Sequence, residues 1–181
     1  METVTGKPCH HPPHVYLDGA WYLITASTLK RRRFLQPAGH KELLRDQLRL
    51  LAVAFRCRLA AWVILDNHYH ILIRSHHGAA LPRFVVRLHG STAFALNGRG
   101  QARGRQVWHN YWDTSIRGEA DFWTRLNYIH HNPVKHGYVT EMCDWPLSSY
   151  AHYLRRRGEE WMADVFRRYP VVDHTPAGDD F

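Results

Sequence analysis

Residues 58–75, RLAAWVILDNHYHILIRS, hold two apolar runs rich in β-branched and aromatic residues, hinged at Asp66-Asn67. An Asp-Asn pair between two such runs suits a tight turn, so the runs read as neighbouring antiparallel strands. Side chains alternate faces along a strand. Tyr69, Ile71 and Ile73 therefore point to one side, toward a core, while His68 and His70 share the other. Any fold built around this hairpin must place two imidazoles together on one face of a sheet.

The flanking stretches supply the rest of that fold. HVYLDGAWYLITAST (residues 14–28) is a further strand, with Trp21, Leu23 and Thr25 on one face and Tyr22 and Ile24 on the other. Between residues 39 and 57 the period changes to that of a helix, with Leu44, Leu48, Leu51 and Phe55 recurring at spacings of four, three and four. LPRFVVRLHGSTAFALN predicts a second helix, near residues 79–97, and QVWHNYWDTSI a fourth strand. EADFWTRLNYIHHNP predicts a third helix with Phe122, Leu126 and Ile129 as its core stripe and Pro133 as its limit. The order β-α-β-β-α-β-α predicts a ferredoxin-like α+β sandwich. It has a four-stranded antiparallel sheet, two packing helices and an additional C-terminal helix carrying Tyr128. No internal repeat interrupts the series. The expected division is an N-terminal tail (residues 1–13), one domain (14–155) and a C-terminal extension (156–181) of weaker pattern with an acidic end.

With 45% hydrophobic and 13% aromatic residues in 181, the chain can bury a full core. Its 24 Lys and Arg against 16 Asp and Glu give +8, a balance that favours an anionic partner, nucleic acid ahead of lipid. The basic residues gather at 30–33, 99–105 and 155–157. Three widely spaced cysteines without a CxxC argue for a reducing compartment. No apolar run approaches the roughly 20 residues needed to cross a bilayer, and a cytoplasmic protein is expected.

Two neutral imidazoles on one strand suit a divalent metal but leave it half-coordinated. Tyr128 and Asn132 lie one helical turn apart, with Tyr128 off the core stripe, so a phenol and an amide oxygen share the non-core face of the third helix. Pro133 biases Asn132 away from helical geometry, which makes the shared face approximate at its last residue.

Several motifs resemble one known family in order. DNHYHILI is similar to the His-hydrophobic-His motif of the HUH single-strand endonucleases. LNYIHHNPVKHGYV resembles the tyrosine segment of the REP-associated tyrosine transposases, and VWHNYWDTSIRGEADF and WPLSSY resemble their supporting stretches, so the likeness spans about residues 14–153. It implies a metal-dependent nickase and ligase of single-stranded DNA beside hairpins. Tyr128 would be the nucleophile, and His68 and His70 the metal ligands. Asn132 would stand in the third-ligand position, where relatives carry Gln. Two departures follow. Leu65-Asp66 replaces a Met-Pro pair and places a carboxylate on the His68 face, and His130-His131 leaves the third ligand open between Asn132 and a neighbouring histidine.

Such chemistry suits these residue types. Attack on a phosphodiester needs an activated nucleophile and a charge-stabilising group, and two imidazoles with an amide suit Mg²⁺ or Mn²⁺. The tyrosine would be left as a 5′-phosphotyrosine beside a free 3′-OH. Arg99, Arg103, Arg105 and Lys135, with His136, are candidate phosphate contacts, and Trp108, Tyr111 and Trp112 are candidates for stacking bases. Two other functions share parts of this pattern. A non-catalytic nucleic-acid-binding module has no use for the aligned His, Tyr and Asn, and a small-substrate metallohydrolase leaves the tyrosine helix and the charge unexplained. The pattern is compatible with a monomer or a homodimer.

Overall fold

The computed structural model describes residues 16–174. Its elements are β1 (Trp21–Thr28), α1 (His40–Ala54), β2 (Cys57–Ile64), β3 (His68–Ser75), α2 (Ala80–Arg99), β4 (Trp108–Ser115), α3 (Glu119–Lys135), α4 (Tyr150–Arg157) and α5 (Glu159–Arg168). The strands form one sheet in the order β2-β3-β1-β4 with every neighbouring pair antiparallel, which is the ferredoxin-like arrangement the periodicities predict. Among the described residues no helix is long and apolar enough to cross a membrane.

Both faces of the sheet are covered, and this explains why its central strands read as nearly unbroken apolar runs. Tyr22, Ile24, Tyr69, Ile71 and Ile73 face α1 and α2, packing with Leu44, Leu48, Leu51, Phe84 and Leu88. Leu23, Ala61, Val63 and Leu72 face the other way, against Leu126, Tyr128 and Ile129 of α3. At roughly 1.5–3 kcal/mol for each large apolar side chain fully buried, these two layers account for most of the driving force. The histidine pair lies between β3 and α3, so the sequence places it inside the second layer and away from solvent.

Pro133 does not end α3. The Asn132 carbonyl still accepts from His136 N at 3.1 Å and the Pro133 carbonyl from Tyr138 N at 2.9 Å, before Gly137 closes the helix at φ 67°. A proline this near a C-terminus removes one late bond and leaves the preceding turns intact. Asn132 therefore stays helical, in register one turn after Tyr128.

The weak pattern beyond residue 155 hides real structure. α5 buries Met162 and Val165, and Asn127 Nδ2 on α3 donates to the carbonyls of Val165 (3.2 Å) and Tyr169 (2.7 Å). Residues 147–149 run along the outer edge of β2. Ile64 N donates to the Leu147 carbonyl and Ser149 N to the Trp62 carbonyl, both at 2.9 Å, so part of an otherwise open strand edge is satisfied.

The turn before β3 is held from the α1 side. Lys41 Nζ meets Asp66 Oδ1 at 2.8 Å and the Leu35 carbonyl at 3.2 Å, and Leu35 N donates to the Asp66 carbonyl at 2.9 Å. Asp66 thus departs from the expectation of a carboxylate on the His68 face. Its charge is met by the Lys41 ammonium of α1, with Tyr138 also hydrogen-bonding to it, because a buried carboxylate is stable only when paired.

Candidate active site

His68 and His70 face α3 with ring centroids 5.1 Å apart, and both are buried. The tautomer of His68 follows from its surroundings. Asn67 Nδ2 donates to the Arg31 carbonyl at 3.3 Å, which turns Asn67 Oδ1 toward His68 Nδ1 at 2.7 Å. Nδ1 therefore carries the proton and Nε2 presents a lone pair. At His70, Nδ1 meets the Thr25 hydroxyl at 2.8 Å, a group able to accept the Nδ1 proton in the same way. Burial holds His68 neutral, pushed down to about 3, with His136 adding to the effect; burial also drives His70 well below its ordinary value, with His68 contributing. Neutral imidazoles whose Nδ1–H groups are anchored by oxygen acceptors are in the form that ligates metal.

The third helix completes the cluster. His68 Nε2 lies 3.1 Å from Asn132 Oδ1, and the Tyr128 ring centroid is 5.1 Å from that of His70. As oriented, the His68 lone pair and the amide oxygen are two acceptors turned toward one point, an arrangement that a cation resolves. Asn132 Nδ2 is buried with no hydrogen-bond partner among the described residues. The donor set of two imidazoles and an amide oxygen thus fits a divalent ion. Among the described residues no group of three His, Cys, Asp or Glu side chains could hold one, so a site here depends on the amide.

Several expectations are adjusted by this geometry. Tyr128, placed by periodicity on a non-core face, is only 1% exposed, because the sheet covers α3 on the side the tyrosine occupies. Lys135 Nζ lies 5.5 Å from the Tyr128 ring centroid and pairs with Asp173 at 2.8 Å, while His174 approaches the same ring at 5.3 Å. His130 turns away from the centre; its Nε2 lies 2.8 Å from Ser149 Oγ and its ring packs on Tyr150 and Tyr153. The histidine that joins the cluster is His136, with its ring 5.0 Å from that of His68. It stands one turn beyond Asn132, in a 128–132–136 stripe that exists because the helix runs past Pro133.

The other expected contacts divide. Arg99 Nη1 donates to the Gly39 carbonyl at 2.9 Å, and Arg105 Nε donates to Asn97 Oδ1 at 3.0 Å while its guanidinium covers Phe34. Both brace loops outside the histidine cluster, and Arg103 is exposed. Trp108 is core, stacked on His89 at 4.6 Å, and Tyr111 packs with the α1–α2 layer. Trp112 pairs across β1 with Thr25, itself opposite His70, so it shares the histidine face. Arg31, previously only part of a basic run, holds the Asn67 amide through its carbonyl. It follows Lys30 in the left-handed region (φ 52° and 53°), an uncommon conformation for two successive non-glycine residues.

Comparison with known proteins converges on the same region. The family model described as Transposase IS200 like matches residues 17–132, which include His68, His70, Tyr128 and Asn132. A REP-associated tyrosine transposase of Escherichia coli is 27% identical over 154 residues, covering 83% of this chain and 89% of that protein. A Haemophilus influenzae protein provisionally named a REP-associated tyrosine transposase is 43% identical over 112 residues, 54% of this chain and 62% of the relative. A solved structure of a REP-associated tyrosine transposase bound to a REP hairpin has the same fold. Its TM-score is 0.65 at 21% identity, with 81% of this chain and 86% of that one covered.

Proposed function

Because the chain belongs to the family of IS200-like transposases, we propose that it is a metal-dependent endonuclease and strand transferase that nicks and rejoins single-stranded DNA beside hairpins. The observation that carries this reading is the meeting of Tyr128 and Asn132 on α3 with His68 and His70 on β3 in one buried centre. A hairpin partner is further supported by the REP hairpin in the structurally similar transposase.

His68 and His70 through Nε2, and Asn132 through Oδ1, would hold Mg²⁺ or Mn²⁺. The chemistry such an ion would supply there is polarisation of the scissile phosphate and compensation of charge on its oxygens. The Tyr128 oxygen gives up its proton and attacks phosphorus, the bond to the 3′ oxygen breaks, and that oxygen takes up a proton and leaves as a 3′-OH, so protons balance. The resulting 5′-phosphotyrosine is still a phosphodiester, so attack by another 3′-OH reseals a strand and returns the proton to Tyr128. The Asn67 and Thr25 contacts keep both imidazoles in one tautomer throughout. Lys135, beside the Tyr128 ring and paired with Asp173, would turn its charge to a phosphate at Tyr128 on leaving that carboxylate.

Incubating the protein with a labelled hairpin oligonucleotide bearing an unpaired flank, in Mn²⁺, tests this on a denaturing gel. Wild type forms a covalent adduct, and Tyr128→Phe binds the hairpin but forms none. Mass spectrometry of the linked peptide then decides among tyrosines. A nucleotide on Tyr138 or Tyr111 would overturn the assignment; Tyr69 is on the wrong face, its hydroxyl 2.9 Å from His89 Nε2. Binding without an adduct in wild type would reduce the protein to a binding module.

A further inference from the structure

Outside the histidine centre, a cavity of about 540 Å³ opens at the β2 edge, between α1 and the start of α4. Arg45 and Arg49 reach it from α1, and Arg155 and His152 from α4. Trp62 and Leu59 form its apolar floor, and Arg49 lies over the Trp62 ring at 5.5 Å. Asp46 takes Arg45 Nε at 2.8 Å, with Glu42 also near Arg45, while no carboxylate lines the cavity itself among the described residues.

Two guanidinium groups from two helices, Arg49 and Arg155, line the cavity beside the Asp46-paired Arg45 and make a binding position for phosphate; the planar forks match its oxygens. The apolar floor and the stacked Arg49–Trp62 pair add a surface for a flat ring. The volume lies in the range of small-ligand sites. The position also matters. Trp62 adjoins Val63, which pairs with His70 on the neighbouring strand, while Trp62 itself pairs with Ile71 and faces the α1 layer, so the cavity opens at the sheet edge one strand beyond β3. The cavity wall is tied to the tyrosine helix, because Ser149 Oγ takes Trp62 N at 3.0 Å and meets His130 Nε2 at 2.8 Å.

We propose that this edge cavity is a subsite for one unpaired nucleotide of the DNA strand flanking the hairpin, its phosphate held by Arg49 and Arg155. The proposal rests on the single-stranded DNA reading above and adds where the strand runs. The same chemistry would also accept free phosphate, so the test separates the two sources.

The test uses the full chain and four probes: a hairpin with a four-nucleotide unpaired flank, the same hairpin without it, the tetranucleotide dT4, and inorganic phosphate. Arg49→Gln/Arg155→Gln is compared with the charge-matched Arg83→Gln/Arg87→Gln on the exposed side of α2. All four arginines are solvent-exposed, so both variants keep the fold, and a thermal melt checks this. The cavity variant loses about tenfold in affinity for the flanked hairpin, and its slope of log K against log salt falls by about 1. The unflanked hairpin is bound as by wild type, and the α2 variant retains the flank-dependent gain. Calorimetry shows dT4 binding that the cavity variant lacks and that inorganic phosphate at equal concentration does not reproduce.

Equal loss on both hairpins, equal effects of the two variants, or no loss at all would overturn the subsite. So would phosphate binding as tightly as dT4, which would make the cavity a free-anion site. A protein that binds dT4 here yet forms no adduct keeps the subsite and loses the nicking reaction. An adduct-forming protein indifferent to Arg49 and Arg155 does the reverse.

Discussion

Lowering the pH from 7 to 5 should destabilise this protein with a steepness set by its buried histidines. In an unfolded chain a histidine titrates near 6.5. In the fold, burial holds His68 and His130 neutral down to about 3, and His89 likewise, while His70 is shifted in the same direction. Below 6.5 the unfolded state therefore binds more protons than the folded one. Stability present above that pH is lost as the pH falls, down toward 3. Between pH 7 and 5 the linkage integral comes to about 2 kcal/mol for each fully buried histidine. His68 and His130 together cost about 4 kcal/mol, His70 adds in the same sense, and His89, partly exposed, contributes less. That is a large part of the 5–15 kcal/mol expected for a whole domain. The window lies above ordinary carboxylate values, and Asp46 and Asp121 are shifted lower still, so acidic groups do not mimic the effect. Urea unfolding in EDTA, which keeps metal linkage out, gives the free energy at half-unit steps of pH. His130→Gln keeps a hydrogen-bonding group for Ser149 and should lower the slope near pH 5.5 by about 1.2 kcal/mol per unit. A wild-type unfolding free energy flat to within about 1 kcal/mol from pH 7 to 5 would refute the reasoning, because the histidines would then be reached by water.

Two substitutions probe the site and its support. His68→Ala and His70→Ala should each abolish Mg²⁺- or Mn²⁺-dependent adduct formation while hairpin affinity in a filter-binding assay stays within a few-fold, since phosphate contacts and stacking supply binding; wild-type cleavage by both variants would return the histidines to a purely structural role. Lys41→Met leaves the Asp66 carboxylate (7% exposed) without its cation, and should cost on the order of 3 kcal/mol in denaturant melts. A loss under about 1 kcal/mol would mean that water already solvates Asp66.

How much of this was legible in the sequence differs by layer. The sheet was readable because strand alternation and helix period are local signals, and the chain alternates between them without ambiguity from Trp21 to Lys135. What local periodicity cannot report is which partner covers a face. Tyr128 lies off the Phe122–Leu126–Ile129 stripe and so looked exposed, yet the sheet buries it beside His70. α5 escaped notice for a related reason. It has ten residues and two buried side chains, and its attachment to α3 runs through the Asn127 amide, a polar contact that no hydrophobic pattern records.

The site shows the same division between spacing and partnership. That His68 pairs with His70 and Tyr128 with Asn132 on one face each was legible because i, i+2 on a strand and i, i+4 on a helix fix a shared face. Spacing alone left open which of His130, His131 and Asn132 turns toward the two imidazoles, since they are consecutive and helical phase near a proline is loosely set. Tertiary partners settle where two of these side chains go: the Ser149 hydroxyl, delivered by a segment running along the β2 edge, draws His130 outward, and the continuing helix carries Asn132 inward to His68. The same continuation brings His136 within reach of His68, a position that a broken helix would not reach. A single backbone fact, that α3 runs through Pro133 to Lys135, therefore decides which polar groups meet the two imidazoles, and it arises from packing on the sheet, which outweighs the local cost of the proline.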